Sequence, residues 1–333
     1  MEKLLTVIVP CYNVEQYLFD VLKSYVIPKV FNSFEVLIVN DGSNDHSADI
    51  ADSFCRKYPN CFRLINKENG GHGSTINIGI KYALGKYVRV IDGDDWVDKK
   101  CFVRFLEKLA HLDADLVLTP FNIVTEGKGI TEVVNASDSV LECWTMNAND
   151  AKKIIKQMLS MHSFTVKTEI LKKIPSISEH CFYVDNEFVV FSLAFIRTVA
   201  YINECVYQYR MGIEGQSVSF ANLQKNRGNS LRVFNRIVDF EKSHSDVELS
   251  DIIRMRSVGL ANFHLEILLF MPVARSVYHE VIDFLNTIDK KAPWILRKIS
   301  LKHKLLLLHN YNIYLIVAGI THVRMKKNDN GRV

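Results

Sequence analysis

Four aspartates fall within seven positions of the stretch VRVIDGDDWVD, residues 88–98: Asp92, Asp94, Asp95 and Asp98. Carboxylates this close repel one another and raise each other's pKa, so the crowding costs free energy unless a cation or a set of hydrogen-bond donors offsets it. A divalent metal held by hard oxygen ligands is one solution. The other is conformational: Asp94 and Asp95 form a turn with Gly93, and Asp98 caps a helix that begins near Lys99. The stretch by itself leaves both open, and three further polar clusters bear on the choice. These are Cys11–Asn13, Asp41–Ser43 and the glycine-rich run Asn69–Ser74.

The elements that must position these clusters are legible as alternating apolar runs. LLTVIVP (4–10), FEVLIVND (34–41), CFRLIN (61–66) and KYVRVID (86–92) read as strands, the first two apolar enough to be covered on both faces. An amphipathic segment from Val14 to Ile27 follows the first. Ser47 is expected to cap the helix ADIADSFCRKY, and Ser74 the helix TINIGIKYAL, with Gly85 at its C′ position. Strands alternating with helices at this spacing predict a parallel sheet of right-handed crossover units. Ligands of such sheets bind beyond the carboxyl ends of the strands, which is where all four clusters fall. Carboxylates at two strand ends and a glycine-rich loop at a third predict a ligand with hydroxyls and phosphates.

Bulk properties narrow the class. The 333 residues, 48% hydrophobic and 23% charged, are those of a folded globular protein with one large or two modest domains. Seven cysteines without a CxxC pair argue against a disulfide framework or a zinc ribbon and for a reducing compartment. The opening apolar run is broken by Pro10 before it reaches signal-peptide length, so it reads as a strand, and a cytoplasmic location is expected. A dinucleotide fingerprint would need GxGxxG directly after the first strand, where PCYN stands; a Walker A loop is absent. An EF-hand starting at Asp92 would need glycine and glutamate where Val97 and Val103 stand. No nucleic-acid partner is expected.

The motifs VIVPCYN, VNDGSNDHS, NGGHGSTIN and IDGDDWVD, in this order and at this spacing, resemble the nucleotide-binding half of family 2 glycosyltransferases with a GT-A fold. The resemblance covers residues 4–110. It continues more weakly to residue 220 through FTVKTEILKK, FYVDNEFVV and YQYRMGIEGQSVS, which are similar to the acceptor half. It implies an α/β fold, a Rossmann-like, mainly parallel sheet flanked by helices, with a helical C-terminal addition. The expected division is 1–220, in halves 1–110 and 111–220, followed by 221–333.

The resemblance also implies chemistry. The donor is a sugar on a nucleoside diphosphate, most often UDP, and Mn²⁺ or Mg²⁺ bridges its phosphates. Asp94 is the first metal ligand expected, with Asp92 reaching the metal or the ribose; Asp95 is left between a donor-sugar contact and a turn. Pro10, Tyr12 and Asn13 would line the nucleoside, and Asp41 would contact base or ribose, with Asn40 where the family pairs a second acid. Gly71, Ser74 and Gly93 complete the donor-facing set. Asp185 in YVDNEF matches the aspartate of the family's Glu-Asp pair that deprotonates the acceptor hydroxyl for inverting attack, although Val184 replaces the glutamate. Arg210, Gln216 and Ser217 would reach the diphosphate. Relatives often carry a histidine there, and residues 211–216 contain none. His72 has no assigned partner and is expected to be a surface or capping residue.

The resulting reading is a metal-dependent inverting transferase acting on a glycan, a lipid-linked or a glycoprotein acceptor. The alternative is a non-catalytic sugar-nucleotide or glycan-binding descendant, favoured by Val184 and the missing histidine; a nucleotidyltransferase would need a basic glycine-rich loop where PCYNVEQ stands. The last 43 residues, 291–333, hold nine Lys or Arg against the single acid Asp329, a net +8 that leaves −4 on the other 290 of a chain with +4 overall. Within them LLLLHNYNIYLIVAGI is apolar but interrupted and too short to span a bilayer. Two readings of this tail stay open: an interfacial helix pair resting on the inner face of an anionic membrane, or a core helix or homodimer contact with a solvated basic rim.

Overall fold

The structure is a computed structural model that describes residues 3–136, 141–212 and 220–330, with side chains over 222–322 in the last segment. The chain divides into two units, Met1–Glu214 with Val247–Leu249, and Gly215–Asp246 with Ser250–Val333.

In the first unit, β1 (Lys3–Cys11) and β2 (Phe34–Asn40) are buried along most of their length, as two-sided coverage demands of their branched, apolar sequences. They are joined through α1 (Glu15–Ser24), and α2 (Ser47–Lys57), β3 (Phe62–Asn66), α3 (His72–Tyr82) and β4 (Gly85–Val90) complete the crossover units. The four strands lie side by side in the order β3-β2-β1-β4, all parallel. Beyond them come β5 (Trp96–Val97), α4 (Lys99–Leu109), β6 (Leu116–Leu118), β7 (Phe121–Thr125), β8 (Gly129–Val134), β9 (Met146–Asn147), α5 (Lys152–Gln157), β10 (Phe164–Lys167), α6 (Thr168–Leu171), α7 (Asp185–Leu193), β11 (Thr198–Tyr201) and β12 (Tyr207–Met211). Among the described residues, the large sheet has eight strands, β3-β2-β1-β4-β10-β6-β11-β9, and a smaller one runs β5-β12-β7-β8. The mixed α/β architecture with a mainly parallel first half is the one expected. The antiparallel insertion of β10 between β4 and β6 was not foreseen. Aromatic packing of Phe34 on Phe102, with ring centroids 5.0 Å apart, ties β2 to α4 in the core.

Three capping expectations are corrected and one is met. α2 starts at Ser47 itself, whose hydroxyl accepts from Val14 N–H, while Asp45 takes the Ser47 N–H. α3 starts at His72, two residues before Ser74, and ends with Ala83 extended. Gly85 is not a helix terminator but the first residue of β4, where a Cβ would lie 2.4 Å from Thr6 N. Asp98 does cap α4, accepting from Cys101 N–H at 2.8 Å. No disulfide joins the seven cysteines, and burial pushes the thiols of Cys11 and Cys61 up to about 11 and about 12, so both act as small core residues.

The second unit is helical: α8 (Phe220–Lys225), α9 (Arg227–Ser243), α10 (Ser250–Phe270), α11 (Arg275–Lys291), α12 (Leu301–Lys304) and α13 (Tyr311–Asn330). α9, α10 and α11 share a core in which Phe234 and Phe284 meet edge to face at 5.0 Å. His264 packs on Phe284 and bonds Ser230 Oγ at 2.6 Å. No described helix in the chain is long and apolar enough to cross a membrane.

Candidate active site

The loops that follow β1 and β2 are laced together. Asn13, at φ 52°, accepts from Asn44 N–H at 2.9 Å and gives its own N–H to Ser43 Oγ at 3.1 Å. The left-handed conformation is one that asparagine tolerates, and through these bonds Asn13 shapes the rim. Tyr12 beside it is 47% exposed and presents its ring to solvent. Pro10 is buried, and its carbonyl stands 2.6 Å from where a Cβ on Gly93 would be. Only glycine fits there, so Pro10 backs the acidic stretch from behind.

Asp41 is not turned outward to a nucleoside. Its carboxylate is 2% exposed and accepts from Lys67 Nζ at 2.5 Å, Gly70 N–H at 2.9 Å and Gly71 N–H at 2.7 Å, with Ser74 Oγ at 3.3 Å. A buried carboxylate needs this many donors to stay charged. The same bonds take up the groups of Gly71 and Ser74 expected to face the donor, and Asp41, Gly71 and Ser74 therefore form the footing of the loop. The loop in turn abuts the segment leading to α7. His180 N–H bonds Gly70 O, and a Cβ on Gly73 would lie 2.1 Å from Ser178 O.

On this footing stands His72. Its Nε2 lies 2.8 Å from Asp92 Oδ1, so the residue expected to be idle pairs with the first acid of the motif. Burial disfavours the charged ring, but the Asp92 carboxylate outweighs it, and the pKa of His72 is raised. Burial likewise works against the Asp92 charge, and His72 outweighs it, holding that carboxyl below its usual range. Tyr207, from β12, donates to Asp95 Oδ2 at 2.6 Å and accepts from Asp92 N–H at 3.2 Å. Asp95 is 1% exposed, and its other oxygen accepts from Arg210 N–H at 2.7 Å. Through these two bonds Asp95 pins β12 beneath the motif. The Arg210 guanidinium is held between the rings of Tyr17 and Trp96, at 4.9 and 4.6 Å, and its Nε donates to Asp94 O at 2.9 Å.

Those donors do not offset the whole crowding. Burial, then the Asp92 charge, pushes Asp94 up to about 6, and burial with both neighbours pushes Asp95 well above the carboxylate range. Among the described residues no side chain bonds the Asp94 carboxyl. His162 completes the cluster. It is carried by the turn Met161–Ser163 before β10, whose carbonyl is gripped by the buried Arg89 guanidinium. Its ring stacks on Tyr209 at 4.5 Å, Ser160 Oγ lies 2.9 Å from its Nδ1, and burial lowers its pKa, so the imidazole is neutral. Asp92, Asp95 and His162 offer ligand atoms within 4.8 Å of one another. Hard carboxylate oxygens, an uncommitted Asp94 and a neutral imidazole are a donor set that fits a divalent cation. Of the expected pair, Asp94 and Asp92, only Asp92 belongs to this group; its other members are Asp95 and His162, a histidine from outside residues 211–216.

Asp185 opens α7 as its first residue, with Val184 at the N-cap, and its Oδ1 accepts from Asn186 Nδ2 at 3.1 Å. It is half-buried, and its charge acts on His72, His162 and Tyr209, which places it on the same cluster as Asp92 and Asp94. Glu187 is fully buried in the first turn of α7 and accepts from Ser178 N–H and Oγ, anchoring the approach to Asp185. Gln216 and Ser217 lie outside the described residues. His72, His162 and Tyr207 were missed as site residues. The position of His72 in a strand-end loop was the one signal available, and the other two arrive from distant segments.

The sequence model described as Glycosyl transferase family 2 matches residues 6–175. The chain is 30% identical over 248 residues to the minor teichoic acid biosynthesis protein GgaB of Bacillus subtilis, covering 72% of this chain. It spans 27% of GgaB's length, and less than half of the other curated relatives it matches first. Among solved structures it is similar to S. aureus TarS 1-349 in complex with UDP-GlcNAc, with a TM-score of 0.69, 19% identity and 95% and 90% of the two chains covered. It is also similar to the mannosyltransferase PcManGT from Pyrobaculum calidifontis in complex with GDP-Man and Mn²⁺, with a TM-score of 0.52, 14% identity and 97% and 88% covered. At these identities the structural likeness shows the fold alone.

Proposed function

Because the chain belongs to glycosyl transferase family 2, we propose that it moves a sugar from a UDP-sugar to a hydroxyl of a bacterial surface-polymer acceptor, glycan, lipid-linked or glycoprotein, inverting the anomeric carbon. The observation that carries this reading is the convergence of Asp92, Asp94 and Asp185 on His72, and of Asp92 and Asp185 on His162, beyond the ends of the parallel strands. UDP-GlcNAc in the TarS complex and the teichoic acid role in GgaB's name support the donor and acceptor classes. His72 and His162 also weaken the non-catalytic alternative, which leaned on a missing histidine.

In this reading the half-exposed Asp185 accepts the proton of the acceptor hydroxyl as that oxygen attacks the anomeric carbon, the sugar–phosphate bond breaks and the nucleoside diphosphate leaves. Asp92 and Asp94 would hold Mn²⁺ or Mg²⁺, with His162 beside them; bound there, the ion neutralises charge growing on the leaving diphosphate. His72 keeps Asp92 ionised for that role. Arg210, fixed between two rings, supplies positive charge next to Asp94 without folding back on its carboxylate. Tyr12 offers an exposed face for the base.

The test is UDP release from a panel of UDP-sugars with Mn²⁺ present and then chelated, on the native protein, Asp94→Ala and Asp185→Asn. Metal-dependent turnover of one donor, abolished in the first variant and reduced in the second with donor affinity intact, is expected. Donor binding without turnover in the presence of an acceptor panel would restore the binding-protein reading.

A further inference from the structure

The C-terminal end of the helical unit shows far more apolar surface than its packing uses. In α13, Tyr314, Val317, Ala318 and Thr321 turn inward at helical spacing, which leaves Leu315, Ile316 and Ile320 at 36%, 61% and 47% exposure on the other side. In the segment before it, His303 and Leu306 are buried, while Leu301, Leu305 and Leu308, spaced four and three apart, are 80%, 45% and 63% exposed. Large apolar side chains left outward in this number mark a contact surface.

Charge says what the contact is. Residues 291–322 contain Lys291, Arg297, Lys298, Lys302 and Lys304 and no Asp or Glu. Lys291 pairs with Asp239 and Lys302 with Glu266. Arg297, Lys298 and Lys304 form no ion pair among the described residues, and Lys298 lies 5.9 Å from the Trp294 ring centroid. Leucine and isoleucine set among unpaired Lys and Arg, with a tryptophan beside them, are the chemistry of the headgroup boundary of a bilayer. A second copy would bring the same positive stretch against itself, and no described helix is both long and apolar enough to span a bilayer. We propose that this end of the chain docks on the surface of an anionic membrane, its leucines and isoleucines in the acyl boundary and Arg297, Lys298 and Lys304 on the headgroups. The surface belongs to the helical unit and does not depend on the reading of the acidic cluster.

Sedimentation of the full chain with vesicles tests it. Vesicles containing phosphatidylglycerol are expected to bind at least about tenfold more protein than pure phosphatidylcholine vesicles, and each neutralisation among Arg297→Gln, Lys298→Gln and Lys304→Gln should weaken binding about fivefold, about a hundredfold together. Leu308→Asp with Ile316→Asp should abolish it; circular dichroism and an unchanged melting temperature would show that the variants fold. Equal binding to both vesicle types, no binding, or binding that survives the three neutralisations overturns the proposal. A concentration-dependent dimer that Ile316→Asp dissolves, in a protein that ignores vesicles, assigns the face to a second copy instead.

Discussion

Asp92 and Asp94 stand two residues apart and titrate in opposite directions, one held down by His72 and the other pushed up to about 6 by burial and by Asp92 itself. The difference gives His72 a measurable task, since a partner that orients and charges a metal-binding carboxylate is worth about 10- to 100-fold in metal affinity. His72→Ala is expected to weaken Mn²⁺ binding by that factor in a titration followed by the paramagnetic signal of the free ion. An unchanged affinity would make the His72–Asp92 bond purely structural. For Asp185→Asn the expected loss in turnover is about 10²- to 10⁴-fold with donor affinity within twofold, and a parallel loss of donor affinity in calorimetry would instead mark Asp185 as a binding residue. The acidic cluster was readable from sequence because its members are neighbours in the chain. Tyr207 and His162 were not, because they reach Asp92 and Asp95 across a strand pairing and a turn gripped by Arg89, and nothing local in YQYR or MHS encodes such a meeting.

At the scale of elements, the loop between β3 and α3 carries the most constraint per residue. Gly73 meets the backbone carbonyl of Ser178, which cannot swing aside as a side-chain end can. Gly73→Ala should therefore force α3 and the 177–181 segment apart, at a cost of about 1 to 3 kcal/mol by analogy with other overpacked contacts. Urea unfolding checks the stability, and donor turnover should fall further than donor binding because the displaced segment leads to Asp185. A variant as stable and active as the native protein would mean that the loop and that segment part without consequence. The strands and helices before residue 110 were legible because their apolar runs are local and β1 and β2 are covered on both faces. The helix caps failed where the side chain had a better long-range partner: Ser47 serves Val14, and Ser74 serves Lys67 and Asp41. The small sheet β5-β12-β7-β8 left little trace, since β5 has two residues and pairs with a strand 110 positions on.

Across the whole molecule, two charge arrangements predict how the protein responds to its solvent. His264 is buried against Phe284, and burial, aided by Arg227 and opposed by Glu280, lowers its pKa to about 4. Both folded and unfolded chains carry the neutral ring above pH 6.5. As pH falls below that value the unfolded chain takes up a proton that the folded one refuses until about pH 4, so stability is lost across this window, by about 3 kcal/mol in all. Melting followed at 222 nm from pH 7 to pH 4 should show that loss, and His264→Gln should flatten it; an equally steep profile in the variant would assign the loss to the carboxylates. The second arrangement is the split between +8 on residues 291–333 and −4 on the rest. Exposed charges facing a lipid surface are screened over a Debye length that shrinks from about 14 Å to about 4 Å as salt rises from about 0.05 to about 0.5 M, whereas the half-buried Asp92–His72 pair is shielded from the added ions. Raising salt over that range should therefore release the protein from anionic vesicles by at least about tenfold while donor hydrolysis at saturating Mn²⁺ changes by less than about twofold. If the two fall together, the basic tail and the acidic cluster act on the same ligand, and the membrane surface is not where the tail's charge is used.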